Sequence, residues 1–236
     1  MNVTDIMTEL KELGTTQTRK TFTTHGAPAN CYGVKIGDLK KHLLKKVKHD
    51  HDLCLALFAT GNTDAQYLAG LGIEPKKMTK EEIKRWLSQS QWSAIDETIV
   101  AGVAAESEDA LELAREWLAL PDEQSQNVGW LTYGKYLALS SDDEIPQGEV
   151  ERLLGRLKKE IHTAPNAIRY SMNQFIIYVG SYYPKLTALA FETAADISEV
   201  EITLATKGCR LPNPAVKIQK VIDSNRLGVK RKRIIC

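Results

Sequence analysis

Long apolar runs, regularly spaced cysteines and alternating strand patterns are all scarce in this chain of 236 residues. Because no apolar run approaches the roughly 20 residues of a transmembrane helix, we expect no membrane span. The first residues lack the basic-then-apolar order of a signal peptide, so a cytoplasmic location is the default expectation. The four cysteines, Cys31, Cys54, Cys209 and Cys236, form no CxxC pair, which argues against a zinc site and a disulfide framework.

Two further short patterns also argue against a bound cofactor. The run His49-Asp50-His51-Asp52 is more typical of an exposed polar turn than of a metal site, because the side chains of adjacent residues diverge. The run Gly70-Leu71-Gly72 follows no strand and lacks the third glycine of a dinucleotide-binding fingerprint. We therefore expect neither a metal ion nor a small-molecule cofactor.

The net charge is only +1, but the charges are segregated along the chain. Residues 30–48 hold six lysines against one acid, and the C-terminal stretch is again basic and ends in Lys230-Arg231-Lys232-Arg233. Between Asp96 and Glu151 there are 14 acids and two bases. Two basic segments on either side of an acidic middle suggest that the protein binds a polyanion through these segments. For any single charge run, however, a solvent-exposed helix face is the more common explanation.

Helical periodicity runs through almost the whole chain, as in Leu39, Leu43 and Val47 or Leu153, Leu157 and Ile161. Start signals agree with it, since Thr79-Lys80-Glu81-Glu82 is a capping box and Pro165 opens another helix. The best strand candidate is 200–204, which is equally compatible with a short extended linker. The sequence predicts an all-α protein.

Helices of about 10 to 20 residues with short turns and no heptads favour an α-solenoid of HEAT-like repeats over a bundle or coiled coil. The predicted pairs are 80–89 with 92–105, 108–119 with 123–140, and 147–162 with 166–181, near the spacing of about 40 residues of such repeats. We expect one repeat domain over 1–236, an α-α superhelix with a concave DNA-binding surface. Its basic tail, 228–236, is predicted either to contact phosphate or to be flexible.

Two stretches, together with the order of the helices over most of the chain, resemble the HEAT-like DNA alkylation-repair family, which includes the AlkD-type DNA glycosylases. Residues 32–41, Tyr-Gly-Val-Lys-Ile-Gly-Asp-Leu-Lys-Lys, are similar to its N-terminal signature GV-x-x-x-x-L followed by a base. Trp92-x-x-x-Asp96 is similar to the Trp and Asp of its catalytic cleft, where both side chains would share one helix face. Residues 208–212 and 228–232 resemble a branch of predicted repair proteins in the same family.

This resemblance implies binding of duplex DNA through its backbone and release of N3- or N7-alkylated purines. Asp96 would then stabilise the oxocarbenium-like sugar and orient the attacking water, and Trp92 would press against the deoxyribose. Because the alkylated base is already cationic, the family needs neither a general acid nor a deep pocket for a flipped base.

Two cleft positions depart from the AlkD-type pattern. Those enzymes carry an Arg where this chain has Asn127, or Tyr133 under another gap placement, and a second Trp where it has Gln174. An Arg lost beside a phosphate removes a charge-assisted hydrogen bond worth roughly 1.5 to 3 kcal/mol. The departures weaken the prediction of a glycosylase more than the prediction of DNA binding.

Three functions therefore stay open: a glycosylase acting through Asp96, a non-catalytic binder of damaged or branched DNA, and a helical-repeat scaffold for another protein. We favour a DNA-binding repair protein, monomeric, with double-stranded or branched DNA as its partner. The predicted DNA-contacting residues are Lys35, Lys40, Lys41, Asn127, Arg169, Gln174, Arg210 and Lys217.

Overall fold

Local start and stop signals divide the chain into a succession of helices. A computed structural model describes residues 2–203 and 211–235, and the described residues contain helices and no strand. The α-helices are α1 Val3–Leu13, α2 Thr16–Thr24, α3 Ile36–Asp38, α4 Leu44–Val47, α5 His51–Ala59, α6 Thr63–Gly72, α7 Lys80–Gln89, α8 Ser93–Ile95, α9 Ala101–Glu106, α10 Ala110–Ala119, α11 Glu123–Leu139, α12 Gln147–Glu160, α13 Asn166–Tyr182, α14 Thr187–Ile197 and α15 Pro214–Asp223.

Short polar side chains explain where many of these helices begin. Thr79 and Glu82 form the predicted capping box of α7, and Asp50, Asn62 and Asp122 each accept a hydrogen bond from a backbone N–H of the first turn. The predicted pairs therefore agree with the observed helices to within about two residues at most ends. The candidate strand is wrong over 200–203, which lies outside helix and strand, and Leu204 lies outside the described residues.

Two helices contain an inserted π turn. Leu39–Leu43 joins α3 to α4, and Asp96–Val100 joins α8 to α9, so that each set forms one continuous helix. In each turn a backbone N–H donates to the carbonyl five residues earlier, from Leu44 to Leu39 and from Ala101 to Asp96. Such turns are rare and are frequent at functional sites. Both carry residues that the sequence singled out.

The chain divides into two compact units: unit 1, up to Glu108 and including Ile235, and unit 2, Asp109–Ile234. In unit 1, the α6 helix packs against α4, α5 and the π turn Asp96–Val100. A Cβ at Gly70 would lie 2.3 Å from Cγ2 of Ile99, so glycine permits the close approach of α6 to that turn. Gly70 therefore has a packing role next to the Asp96 segment. Elsewhere in unit 1, Phe58 stacks on Trp86 at 4.1 Å between ring centroids.

In unit 2, α11, α13 and α15 pack side by side, and α10, α12 and α14 contact them or one another. The core between these helices includes Trp130, Tyr133, Phe175 and Ile218, all of which are buried. Among the described residues, no helix is long and apolar enough to cross a membrane. The prediction of one domain over 1–236 stays a prediction.

Candidate functional site

The signature loop at 32–34 is fixed by a carboxylate that lies 30 or more residues further along the chain. Asp64, which is buried at the start of α6, accepts hydrogen bonds from the backbone N–H groups of Tyr32, Gly33 and Val34 at 2.6, 3.1 and 2.8 Å. Gly33 has φ +79°, a conformation that favours glycine. Three donors on one carboxylate hold the loop rigidly where it leads into α3.

Exposed lysines follow this loop directly. Lys35 is the N-cap residue of α3, and Lys40 and Lys41 belong to the π turn Leu39–Leu43. All three side chains are exposed, and among the described residues their ammonium groups have no hydrogen-bonding or ion-pair partner. Lys46, on the same continuous helix, is instead paired with Glu9. Ammonium groups that have no partner within the protein, on a helix whose preceding loop is fixed by Asp64, are available to bind an anion such as phosphate.

Trp92 lies just before the helix that carries Asp96. Its backbone is extended, with φ −141° and ψ 124°, and it is the N-cap residue of α8. The expectation of one shared helical face is therefore wrong, because Trp92 is outside the helix. The indole Nε1 donates to the His25 carbonyl oxygen at 2.7 Å, and the ring packs against Phe22 at 5.3 Å between centroids. Trp92 thus contacts the end of α2.

Asp96 is the first residue of the π turn Asp96–Val100 and is only 5 % exposed. Its backbone N–H donates to the Trp92 carbonyl at 3.2 Å. A carboxylate that stabilises a developing sugar cation must approach the sugar closely. Burial of Asp96 limits that approach.

The candidate residues of unit 2 lie in several environments. Asn127 is buried in α11 at 3 % exposure, Gln174 is half-buried in α13, and Lys217 is exposed on α15. Arg169 donates from Nε to the Ala164 carbonyl at 2.6 Å and from a terminal nitrogen to the Glu201 carbonyl at 2.8 Å. Two donors of Arg169 are therefore used within the protein. Arg210 lies outside the described residues.

The basic tail is fastened to the ends of two helices. Lys230 Nζ donates to the carbonyl oxygens of Leu137 and Tyr182 at 2.9 and 2.7 Å and pairs with Asp142. The Arg231 N–H donates to the Ala138 carbonyl, and its guanidinium lies 5.5 Å above the Tyr182 ring. Cations at helix C-termini are favourable because the carbonyls there carry partial negative charge. These contacts attach Lys230 and Arg231 to unit 2, and the flexibility of the tail over 228–236 stays a prediction.

His49, Asp50 and His51, three members of the run that could suggest a metal site, make other contacts within unit 1. No cluster of three or more metal-binding side chains occurs in 2–203 or 211–235. His49 and His51 contact Glu74 and Glu82 at 3.1 and 3.3 Å. Burial is the largest influence on the pKa of Glu82 and raises it, but hydrogen bonds from Thr79 and His51 outweigh burial, so the pKa is below its usual value. The His-Asp-His-Asp run contributes to a helix cap, through Asp50, and to contacts of two histidines with glutamates.

Sequence reasoning missed Asp64 and the contacts of α2. Asp64 has no local partner, since its donors lie about 30 residues away, and nothing in residues 62–66 indicates them. The α2 sequence, Thr-Gln-Thr-Arg-Lys-Thr-Phe-Thr-Thr, has no amphipathic pattern that would have singled it out. The glycine at position 33 was the one available signal, because a glycine inside a signature often marks a special backbone conformation, and its φ is indeed positive.

Comparisons with known proteins agree with this architecture. The family model described as DNA alkylation repair enzyme matches residues 6–205. Uncharacterized proteins of Listeria monocytogenes and Listeria innocua are each 34% identical over 218 residues, which cover 90% of this chain and 94% of theirs. A solved structure of a new family related to the HEAT-like repeat DNA glycosylases, with affinity for branched DNA structures, is 33% identical, with a TM-score of 0.91 and 100% coverage of both chains. The predicted HEAT-like helical-repeat fold is confirmed.

Proposed function

Because the chain belongs to the DNA alkylation repair enzyme family, we propose that it is a repair protein that binds branched DNA through phosphates without excising bases. The observation that carries this proposal is the exposed, unpaired set Lys35, Lys40 and Lys41 on a loop and helix held by Asp64. A rigid cationic surface binds the DNA backbone without reading sequence. The affinity for branched DNA described for the solved relative supports branched DNA as the preferred partner of this surface.

The residues predicted to carry out base excision instead count against that activity. Asp96 is 5 % exposed, and the Trp92 indole contacts His25 and Phe22. Where AlkD-type enzymes carry an Arg, the matching position in this chain is Asn127, or Tyr133 under another gap placement, and both are buried. Where they carry a second Trp, this chain has Gln174. None of these side chains supplies a positive charge or an indole. Of the four groups that the excision mechanism uses in AlkD-type enzymes, the sequence matches two, Trp92 and Asp96, so base excision has weaker support than DNA binding.

One observation favours a glycosylase as the second candidate. Asp96 begins a π turn, and π turns are frequent at functional sites. In that function the Asp96 carboxylate would stabilise the sugar cation, and the cationic alkylated base would leave without a general acid. The scaffold function is the least supported, because the exposed large apolar side chains of the described residues are few: Ile36, Leu120, Val216, Leu227 and Val229.

Two assays on the same protein distinguish the first two functions. Titration of a four-way junction and an intact duplex of equal length, at two salt concentrations, measures structure preference. Single-turnover release of N7-methylguanine from duplex DNA, by the wild type and by Asp96→Asn, measures excision. We expect tighter, salt-sensitive binding of the junction and no release above the rate without protein. Release that Asp96→Asn abolishes would instead establish the glycosylase.

A further inference from the structure

The α2 helix is attached to unit 1 by few packing contacts. Of its nine residues, Thr16–Thr24, only Thr18 is buried, and Phe22 is half-buried. The hydroxyls of Thr21, Thr23 and Thr24 donate back to carbonyls of the same helix. Burial of apolar surface is the main source of helix stability in proteins, so α2 depends on a few specific contacts.

Those contacts come from the two motifs that carry the family resemblance. At the N-terminal end, the Thr15 N–H donates to the Gly33 carbonyl at 3.0 Å. A Cβ at Gly33 would lie 2.3 Å from the backbone nitrogen of Arg19, so only glycine permits this close approach of the loop to α2. At the C-terminal end, Trp92 Nε1 donates to the His25 carbonyl, and its ring contacts Phe22. The signature glycine and the cleft Trp thus hold opposite ends of one helix.

The surface of α2 suits an anion. Residues 13–37 contain no acid, and they include Arg19, Lys20 and Lys35. The side chains of Gln17 and Lys20 are exposed and have no partner among the described residues. Arg19 donates once, to the Ala29 carbonyl at 2.7 Å. Amide and ammonium donors without internal partners are typical phosphate ligands on DNA-binding surfaces.

We propose that α2 is a DNA-contacting helix, in which Lys20 and Gln17 donate to phosphates and Gly33 and Trp92 act as positioning residues. The proposal rests on the DNA binding proposed above and extends the surface beyond Lys35, Lys40 and Lys41. Lys35 lies two residues after Gly33, so the loop that holds α2 leads directly into the lysine-bearing helix. Trp92 acts through α2 rather than on the deoxyribose.

The test compares Lys20→Ala, Trp92→Phe and the double variant in binding of a four-way junction over a range of salt. Trp92→Phe keeps a ring against Phe22 but removes the N–H that reaches His25. Lys159→Ala, at an exposed lysine of α12, removes the same charge elsewhere and is the control. Thermal unfolding of each variant shows whether it is folded.

We expect Lys20→Ala to make the slope of log affinity against log salt less negative by about 1 unit, with Lys159→Ala unchanged. Trp92→Phe should weaken binding measurably but by no more than Lys20→Ala does, and the double variant should match Lys20→Ala because both changes affect one contact. An unchanged slope for Lys20→Ala would overturn the DNA-contacting role of α2. Unchanged binding by Trp92→Phe, or additive losses in the double variant, would overturn the positioning role of Trp92. If the wild type binds no DNA, the proposed function itself fails.

Discussion

Replacing Lys40 and Lys41 together by Ala tests whether the π turn Leu39–Leu43 contacts DNA. Both lysines are exposed and have no partner among the described residues, so their removal breaks no internal contact. Each phosphate neutralised contributes about 0.9 to the slope of log affinity against log salt, so the pair contributes about 1.8. Raising salt from about 50 to about 200 mM should then weaken the wild type roughly twelvefold more than the variant.

The assay is a fluorescence titration of a labelled four-way junction at several salt concentrations, with slopes fitted for both proteins. Lys76→Ala/Lys77→Ala is the control, because it removes two adjacent exposed lysines from the same unit. It also breaks the ion pair of Lys77 with Glu74, so thermal unfolding of both variants is measured alongside. We expect the control to keep the slope of the wild type. Equal slopes for the wild type and Lys40→Ala/Lys41→Ala would refute the assignment of this turn to the DNA interface.

Two further predictions concern contacts that support these surfaces. In the wild type, the two carboxylate oxygens of Asp64 accept three N–H groups, and Asp64→Asn leaves one carbonyl oxygen in their place. This variant should lower the free energy of unfolding, measured by chemical denaturation, by about 3 kcal/mol. The control at an exposed position, Asp52→Asn, should change it by under about 0.5 kcal/mol. Lys230→Met removes an ammonium from two helix-terminal carbonyls and should cost about 1 to 2 kcal/mol while leaving the salt slope of DNA binding unchanged. Exposed Lys232→Met is its control, and equal stability of these two variants would contradict the capping role of Lys230.

The helices could be predicted because their signals are local. The capping box at Thr79 and Glu82 and the cap at Asp122 lie within three residues of the N–H groups that they bind. The periodicity of apolar residues fixes which segments are helical but not their hydrogen-bonding pattern. The π turns therefore escaped prediction, since an inserted residue changes the pattern by one position only.

The contacts that shape the candidate site depend on residues far apart in the sequence. Asp64 binds a loop about 30 residues earlier, and Trp92 binds the His25 carbonyl 67 residues away. Arg169 was predicted to contact phosphate from its charge, but two of its donors bind carbonyls at Ala164 and Glu201. Charge alone does not show whether an arginine is already engaged within the protein.

The most direct test of the central claim is a comparison, on one preparation, of junction binding and of base release from alkylated duplex DNA. We predict that the four-way junction is bound more tightly than a duplex of equal length, that this binding weakens with salt, and that no base is released under single-turnover conditions. Equal affinity for junction and duplex, or base release that depends on Asp96, would contradict the account.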